Sequence, residues 1–455
     1  MQLIEHGILQ ARSMDVKNKL HPKIAVVGLC SPLEIGASEA LPKAEGVACS
    51  LRNSGCSVID VSLVDSPETA ATMGRKYLSE RLDAVVFVPS CWFEDYLVLD
   101  FIEECRVPLL LWAIPGMETG SLCGTEQLGC YLKYLEHPFH HVFGNPGNPE
   151  EVKSAISFLK ACALKSKLRR SKIGIAGTRV NGMTHTSPCE FALKKTIGPR
   201  IHQLCLPDII KTAGEQNVDN VRNAWKELKN KAGSCSVSDP EGMESIRMYL
   251  ALKDAVSKNS LDALAVGCYP QLMGKVCVAA SLLADGGVPL ACEGDVNGAV
   301  GQLILTLLSE SPTQNTDFLD PLEDGSVVFT HCGSGSFSLA EGKEKIALRS
   351  VRLMGQGTCA LFPAKPGVVT LLSLIATEGG YQVAMLRGEA VKTEMIFPGN
   401  PVRIRFEKPF REIKNWVFEE GIGHHWMIAY GDYAEEIRQW SRIAGKNLRF
   451  KHLAG

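Results

Sequence analysis

The first two thirds of the chain alternate short apolar runs with segments whose spacing favours helices. The apolar runs are continuous rather than alternating, which is typical of strands buried on both faces of a parallel sheet. Strands are predicted at 24–30, 57–61, 82–88, 107–113, 172–178, 261–267 and 288–293. Helices are predicted at 150–168, 185–197, 218–231, 241–258, 275–284 and 295–309. This alternation predicts an α/β fold built from doubly wound αβα domains.

The pattern changes after residue 312, where short strand-like runs alternate with turns that contain glycine and proline. Strands are predicted at 325–331, 368–375, 381–386 and 402–406, and long helices are missing until 434–444. This pattern of short strands and turns indicates a mostly antiparallel, barrel-like β domain. We therefore predict αβα domains at 1–168 and 169–312, and a β-rich domain at 313–455. The basic run 165–170 is interpreted as a solvated domain junction.

Composition excludes several classes of function. The 455 residues carry a formal net charge of −2, which gives no electrostatic basis for binding nucleic acid or an anionic membrane. No apolar run approaches the roughly 20 residues that a membrane span requires. Residues 1–7 lack a basic segment followed by an apolar one, so they do not form a secretory signal. We expect a cytoplasmic protein.

Two familiar cofactor patterns are missing. The first predicted strand is not followed by GxGxxG, which argues against a nicotinamide dinucleotide site there. The 16 cysteines include no CxxC pair, and several lie in apolar segments. We interpret these cysteines as reduced thiols that pack as small hydrophobic residues.

The most informative stretch is the predicted strand-to-helix turn at 288–301. It places Glu293 and Asp295 at the carboxyl end of a strand, facing a helix N-terminus, where α/β proteins usually carry out chemistry. The structural alternative is a turn carboxylate followed by an N-cap. We favour the N-cap interpretation for Asp295 and a functional role for Glu293.

Two later segments supply matching ligands. Residues 315–320, which we interpret as an inter-domain turn, contain aspartates directly after the helix that Glu293 precedes, and 421–428 contain a glycine-flanked histidine pair. Carboxylates with one imidazole suit Mn²⁺ or another divalent ion with open positions for substrate oxygens. Each segment alone is weak evidence, since aspartate is common in turns. His331 is interpreted as a buried strand residue, and the histidines of 137–141 as loop or interface residues.

The combination resembles the L-fucose/L-arabinose isomerase superfamily. The residues that carry the resemblance are the Ala-Cys-Glu-Gly-Asp-Val-Asn-Gly-Ala run at 291–299, Asp317, and the Gly-x-Gly-His-His element that ends at His425. The Gly-Cys-Tyr-Pro-Gln run at 267–271 also matches. The likeness covers the second and third predicted domains, and over the first it is architectural only. This chain is shorter than a typical L-fucose isomerase, which predicts a remodelled sugar pocket.

The resemblance implies a set of site residues. The metal ligands would be Glu293, Asp317 and His425, holding Mn²⁺ or another divalent cation such as Co²⁺ or Mg²⁺. His331 matches an additional ligand of the arabinose branch. His424 would orient the metal ligands without binding the ion itself, and it would also contribute to substrate binding.

The resemblance also implies a homo-oligomer, a trimer or hexamer, in which a neighbouring subunit closes each pocket. Trp92 is the candidate for that contact with the sugar, although a core or interface tryptophan explains it equally well. Arg179 and Gln271 are candidates for binding sugar hydroxyls.

The implied activity is aldose–ketose isomerisation of an unphosphorylated sugar of the L-fucose, D-arabinose or L-arabinose type. Moving a carbonyl between C1 and C2 requires removal of an adjacent proton and stabilisation of an ene-diolate. Glu293 and Asp317 would serve as ligands and as proton shuttles. Two alternatives remain: a non-enzymatic cytoplasmic sugar-binding protein, and a metal-dependent sugar epimerase or lyase on the same scaffold.

Overall fold

The computed structural model describes residues 19–453. Residues 1–7, which carry the prediction about a secretory signal, lie outside this range. The chain divides into an N-terminal unit, 20–167 with 435–445, and a second unit, 168–434 with the segment that starts at residue 446. The three-domain division predicted from the sequence stays a prediction. Among the described helices, none is both long and apolar enough to cross a bilayer.

The N-terminal unit is a parallel sheet flanked by helices. Its strands are β1 Lys23–Leu29, β2 Ser57–Val64, β3 Ala84–Pro89, β4 Leu109–Ala113 and β5 Phe139–Phe143. Its helices are α1 Ala40–Asn53, α2 Pro67–Glu80, α3 Tyr96–Glu104, α4 Ser121–Tyr134 and α5 Pro149–Leu168. The strand order is β2-β1-β3-β4-β5, and every pairing is parallel. The continuous burial of β1, β3 and β4 explains their unbroken apolar runs.

The histidine segment 137–141 was interpreted as loop or interface residues, and the loop interpretation holds for His137 but is wrong for His140 and His141. Most of it belongs to β5, which pairs only with β4 at the edge of the sheet. An edge strand has one open side and tolerates polar residues, so its sequence lacks the apolar signature of the central strands. His140 Nε2 lies 2.9 Å from Ser154 Oγ on α5.

The second unit begins with another parallel sheet. Its strands are β6 Lys172–Ala176, β7 Arg200–Leu204, β9 Ala263–Val266 and β10 Leu290–Ala291, whereas β8 Ser234–Cys235 pairs with a later strand outside this sheet. Its helices are α6 Glu190–Ala192, α7 Leu206–Gly214, α8 Val218–Asn230, α9 Asp239–Asn259, α10 Cys277–Asp285 and α11 Val296–Ser309. The sheet order is β10-β9-β6-β7, again parallel. The helical character predicted for much of 185–197 is confirmed, although short 3₁₀, α and π segments share this stretch and it is not one regular helix.

The rest of the second unit is mostly antiparallel. Its strands are β11 Gln314–Pro321, β12 Val327–Thr330, β13 Ala347–Arg349, β14 Cys359–Leu361, β15 Gly367–Thr377, β16 Gly380–Val391, β17 Val402–Arg405, β18 His425–Tyr430 and β19 Leu448–His452. The sheet runs β15-β18-β11-β12-β17-β16-β19, and β16 also pairs with β15, so six strands form a closed ring of pairings. The observed class is mixed α/β with parallel sheets and a mostly antiparallel sheet, as predicted.

Two helices accompany this sheet: α12 Phe410–Glu419 and α13 Ala434–Ala444. The sequence-based prediction missed α12. It buries Ile413, Trp416 and Val417, whose spacing follows one helical face. Residues 435–445, within and just after α13, pack with the N-terminal unit.

Helix α11 links the two sheets of the second unit. Its residues are buried from Val296 through Leu308, as expected for a helix that is apolar on every side. It contacts β9 and β10 of the parallel sheet, and β15 and β18 of the antiparallel sheet. A Cβ at Gly301 would lie 2.4 Å from Met427 Cε, so glycine permits the close approach to β18. The N-terminus of α11 is thereby held beside the antiparallel sheet.

Candidate active site and metal centre

Glu293 lies in a tight turn between β10 and α11. Glu293 and Gly294 both have left-handed backbone conformations, with φ of 65° and 69°. The turn is held by Val180 N–H, which donates to the Glu293 carbonyl at 3.2 Å, and by Gly294 N–H, which donates to the Val266 carbonyl at 3.0 Å. A left-handed conformation costs a non-glycine residue roughly 1–2 kcal/mol. Strain of this kind is typical of functional sites, because it persists only where the surrounding structure imposes it.

Asp317 and His425 are brought together by strand register. Residues 315–320 were interpreted as a turn, but Asp317 lies within β11, and that part of the prediction is wrong. Asp317 is paired with His425 at the start of β18, and on its other side with Thr330 at the end of β12. His331 follows Thr330 directly. Three adjacent strands therefore deliver a carboxylate and two imidazoles to one place.

The structure places four of the predicted residues within a few ångströms. His425 Nε2 lies 3.2 Å from Glu293 Oε2 and 3.5 Å from Asp317 Oδ1. His331 Nε2 lies 3.9 Å from Glu293 Oε2. The two histidine side chains are almost fully buried, whereas the Asp317 side chain is 32% exposed. A small molecule can thus approach on the Asp317 side.

Asp295 has a role that was not predicted. It is the N-cap of α11, as interpreted, and its Oδ1 accepts from Gly298 N–H at 2.8 Å. Its other oxygen accepts from His425 Nδ1 at 2.7 Å. A carboxylate that holds the second nitrogen of a histidine sets the ring orientation and raises its basicity as a ligand. An N-cap motif looks the same in sequence with or without such a partner, so the sequence held no signal for this contact.

The charges in the cluster support one another. Burial alone would raise the pKa of Glu293, but the nearby imidazoles of His331 and His425 outweigh it and hold that pKa well below its usual range. Burial lowers the pKa of His425, yet Asp295 and Glu293 raise it to about 10. The pKa of His331 is likewise raised to about 9 against its burial, first by Glu293. The carboxylates and the imidazoles therefore stabilise each other electrostatically.

These residues fit a divalent cation. Among the described residues, His425 Nε2 is buried and has no hydrogen-bond partner. Two ligands at right angles around an octahedral ion, each about 2.1 Å from it, are about 3 Å apart. The spacings of 3.2 and 3.5 Å around His425 Nε2 are close to that value. Glu293, His331 and His425 can also place one ligand atom each within 4.8 Å of the others.

A second histidine group adjoins the first. His185, His424 and His425 also offer ligand atoms within 4.8 Å of one another. The His185 ring centroid lies 4.8 Å from that of His424, and His424 Nε2 lies 3.8 Å from Asp317 Oδ1. A Cβ at Gly423 would lie 2.7 Å from His185 Cδ2, so glycine leaves room for that ring. His185 was not predicted, since a lone histidine in a polar loop gives no signal.

The remaining predicted residues are less closely associated with the cluster. Arg179 is half-buried beside the turn, where a Cβ at Gly294 would lie 2.7 Å from Arg179 Cα. Gln271 is exposed in the turns after β9. Trp92 belongs to the N-terminal unit, and its Nε1 donates to Gln127 Oε1 at 3.2 Å. The roles expected of these side chains, and of His424, stay predictions.

Curated relatives of the chain are sulfoquinovose isomerases. The protein from Priestia aryabhattai is 24% identical over 382 residues, covering 80% of this chain and 84% of its own length. The protein from Priestia megaterium gives the same values. The one from Alkalicoccus urumqiensis is 23% identical over 384 residues, covering 80% and 85%. These relatives confirm the prediction that the chain is an enzyme of the aldose–ketose isomerase type.

Two further comparisons add little. No family model matches the chain, so its place in the L-fucose/L-arabinose isomerase superfamily stays a prediction. Among solved structures, an ABC transporter solute-binding protein from Burkholderia multivorans covers 64% of this chain and 95% of its own at 13% identity. Its TM-score of 0.17 is too low to support any conclusion about fold or function.

Proposed function

We propose that this chain is a divalent-metal-dependent isomerase that interconverts an unphosphorylated aldose and its ketose, with a sulfonated sugar of the sulfoquinovose type as the substrate. The observation that supports it most strongly is the convergence of Glu293, Asp317 and His425 at 3.2 and 3.5 Å. The curated relatives support the sugar, since sulfoquinovose isomerases match over most of the chain. Sugars of the L-fucose and L-arabinose type remain candidates on the motifs alone.

The proposed ligands of the ion are Glu293, Asp317 and His425, with His331 as an additional ligand. When bound, Mn²⁺ or a similar ion supplies Lewis-acid stabilisation of the negative charge that develops on the sugar oxygens. Asp295 holds His425 through Nδ1, which keeps Nε2 directed at the carboxylates.

The proton transfer is assigned to the two carboxylates. Isomerisation removes a proton from the carbon beside the carbonyl and returns it to the neighbouring carbon. Glu293 is assigned as the acceptor, because a positioned carboxylate can remove a proton from the carbon beside a carbonyl. Asp317 is the more exposed of the pair and lies on the side from which a sugar can enter. His424 Nε2 lies 3.8 Å from Asp317 Oδ1, and the His185 ring contacts that of His424.

We also propose a homo-oligomer whose subunits meet near the loops that follow β1 and β4. Leu33 is 94% exposed and Met117 fully exposed in these loops. Both loops lie at the carboxyl edge of the parallel sheet, because β1 and β4 both pair in parallel with β3. Large apolar side chains exposed at one edge are typical of an interaction surface.

Turnover in D₂O tests the proposed function. The purified chain, loaded with Mn²⁺, is incubated with sulfoquinovose, L-fucose, L-arabinose or D-arabinose, and the products are followed by NMR. We expect interconversion of one aldose and its ketose with deuterium at C1 or C2, and loss of activity in EDTA that Mn²⁺ restores. Epimerised or cleaved products would instead support the epimerase or lyase alternative. No conversion of any sugar by the folded, metal-loaded chain would refute the proposal.

A further inference from the structure

The loop at 177–189 is fastened to the turn that carries Glu293. Near its start, Val180 N–H donates to the Glu293 carbonyl at 3.2 Å. Near its end, Asn297 Nδ2 donates to the carbonyls of His185 and Ser187 at 3.0 and 3.3 Å. Because Asn297 belongs to the first turn of α11, both attachments are to the strand–helix connection of the active site. The loop is therefore part of the wall around the carboxylates.

The charge of this loop is unusual beside a carboxylate cluster. Residues 177–189 include Arg179 and His185 and no aspartate or glutamate. The Arg179 Nη1 donates to the Val180 carbonyl at 3.0 Å, which places the guanidinium next to the residue that binds the Glu293 backbone. Among the described residues, no acidic side chain pairs with this half-buried arginine. Most of its donors thus stay free for a ligand.

A sugar that carries an anionic group needs a cationic side chain with free hydrogen-bond donors, such as the Arg179 guanidinium. A sulfonate is ionised at physiological pH, and its removal from water is costly unless a cation pairs with it. That cation must lie several bonds away from the reacting carbons, because the sulfonate is at the other end of the sugar. A guanidinium presents a planar fork of N–H donors that matches the oxygens of an oxyanion better than a point charge does. His185 adds a buried Nε2 with no partner among the described residues.

We propose that Arg179 binds the sulfonate of the substrate, while Glu293 and Asp317 act at its other end. This inference rests on the proposed function, because it assumes a sugar held with its first carbons at the carboxylates. It assigns Arg179 to anion recognition rather than to a sugar hydroxyl. Arg179 would then set the preference for a sulfonated sugar over its neutral counterpart.

The test compares binding of two sugars that differ in the sulfonate. Sulfoquinovose and 6-deoxy-D-glucose are titrated by calorimetry into the Mn²⁺-loaded full chain and into Arg179→Gln, Arg179→Lys and Arg352→Gln. Arg352 is the matched control, since it is exposed and its guanidinium lies over the Phe397 ring at 5.0 Å. Circular dichroism and thermal melting check that each variant is folded.

We expect the wild-type chain to prefer sulfoquinovose and Arg179→Gln to lose about 10- to 100-fold in affinity for it, the range for hydrogen bonds to charged groups. Binding of 6-deoxy-D-glucose should not change, Arg179→Lys should keep part of the preference, and Arg352→Gln should keep all of it. The inference is overturned if the wild type shows no preference, or if Arg179→Gln weakens both sugars equally or neither. It is also overturned if Arg352→Gln abolishes the preference.

Turnover in the same samples separates this inference from the proposed function. Preferential binding that depends on Arg179, without interconversion of the sugar, would leave the anion site standing and refute the isomerase. Interconversion with a preference that survives Arg179→Gln would leave the isomerase standing and refute the role of Arg179.

Discussion

At the scale of single residues, the candidate site depends on a histidine held from both sides. His425 meets Asp295 through Nδ1 at 2.7 Å and Glu293 near Nε2 at 3.2 Å. Glu293 could be singled out by its place at a predicted strand end, whereas the full set of Glu293, Asp317 and His425 came from the resemblance to the L-fucose/L-arabinose isomerase superfamily. Asp295 could be predicted only as an N-cap, because its contact with His425 joins residues that are far apart in the chain.

Asp295→Asn separates these two roles of Asp295. Asparagine is as good an N-cap as aspartate, so the free energy of unfolding should change little. The amide cannot accept from both Gly298 and His425 as the carboxylate does, so His425 loses its orientation. We expect Mn²⁺ affinity to fall by about 10- to 100-fold, measured by titration of the metal-free chain.

The control for that measurement is Asp295→Ala, which removes the cap as well. It should weaken Mn²⁺ to a similar degree and also cost about 1 kcal/mol of stability. Unchanged Mn²⁺ affinity in both variants would show that Asp295 does not act through His425.

At the scale of elements, the central strands were predictable and the irregular ones were not. Strands β1, β3 and β4 are buried along their whole length, and their apolar runs mark them clearly. The edge strand β5 lacks that signal and was not predicted. The strand predicted at 288–293 is present, but as β10 it is only two residues long. Asp317 was assigned to a turn because β11 begins with the polar residues 314–317, which do not resemble a buried strand. Strands buried on both faces have unbroken apolar sequences and can be recognised. Strands that lie at a sheet edge or carry polar residues of the site do not have such sequences.

His140 on β5 provides a pH test of the N-terminal unit. Its ring lies 5.4 Å from that of Phe158, and burial lowers its pKa to about 4. In the unfolded chain the pKa is about 6.5. Between these values the unfolded state binds a proton that the folded state does not, so the free energy of unfolding decreases as the pH falls from 6.5 to 4.

His140→Phe should keep the ring contact and remove this titration. Denaturant unfolding of the full chain at several pH values should therefore show a smaller loss of stability between pH 6.5 and 4 than in the wild type. His141→Phe, on the more exposed side of the same strand, should behave like the wild type. Equal pH dependence in His140→Phe and the wild type would contradict this account.

At the scale of the whole molecule, the described chain has two units with separate cores, and the carboxylate–histidine cluster lies entirely in the second. The sequence predicted the mixed α/β class because parallel and antiparallel sheets leave different hydrophobic patterns. It could not predict that residues 435–445 return to the N-terminal unit, since no local pattern encodes a contact with a distant segment.

The proposed oligomer can be disrupted at the exposed apolar loops. Leu33→Glu combined with Met117→Glu places charges where we expect a neighbouring subunit, so sedimentation velocity should show a smaller species than the wild type. Phe418→Glu is the control, because Phe418 is 78% exposed on α12 of the second unit. The oligomer assignment fails if the double variant keeps the wild-type sedimentation coefficient, or if the wild type is already monomeric.

The most direct test of the central claim is Mn²⁺ content and turnover measured together in the wild type and in Glu293→Gln. The control is Glu310→Gln, since Glu310 also has a left-handed backbone, with φ of 52°, at the other end of α11. We predict about one tightly bound Mn²⁺ per wild-type chain, retained with full activity in Glu310→Gln. In Glu293→Gln we predict a folded protein with much weaker Mn²⁺ binding and no detectable isomerisation. Wild-type Mn²⁺ content and wild-type turnover in Glu293→Gln would contradict the account.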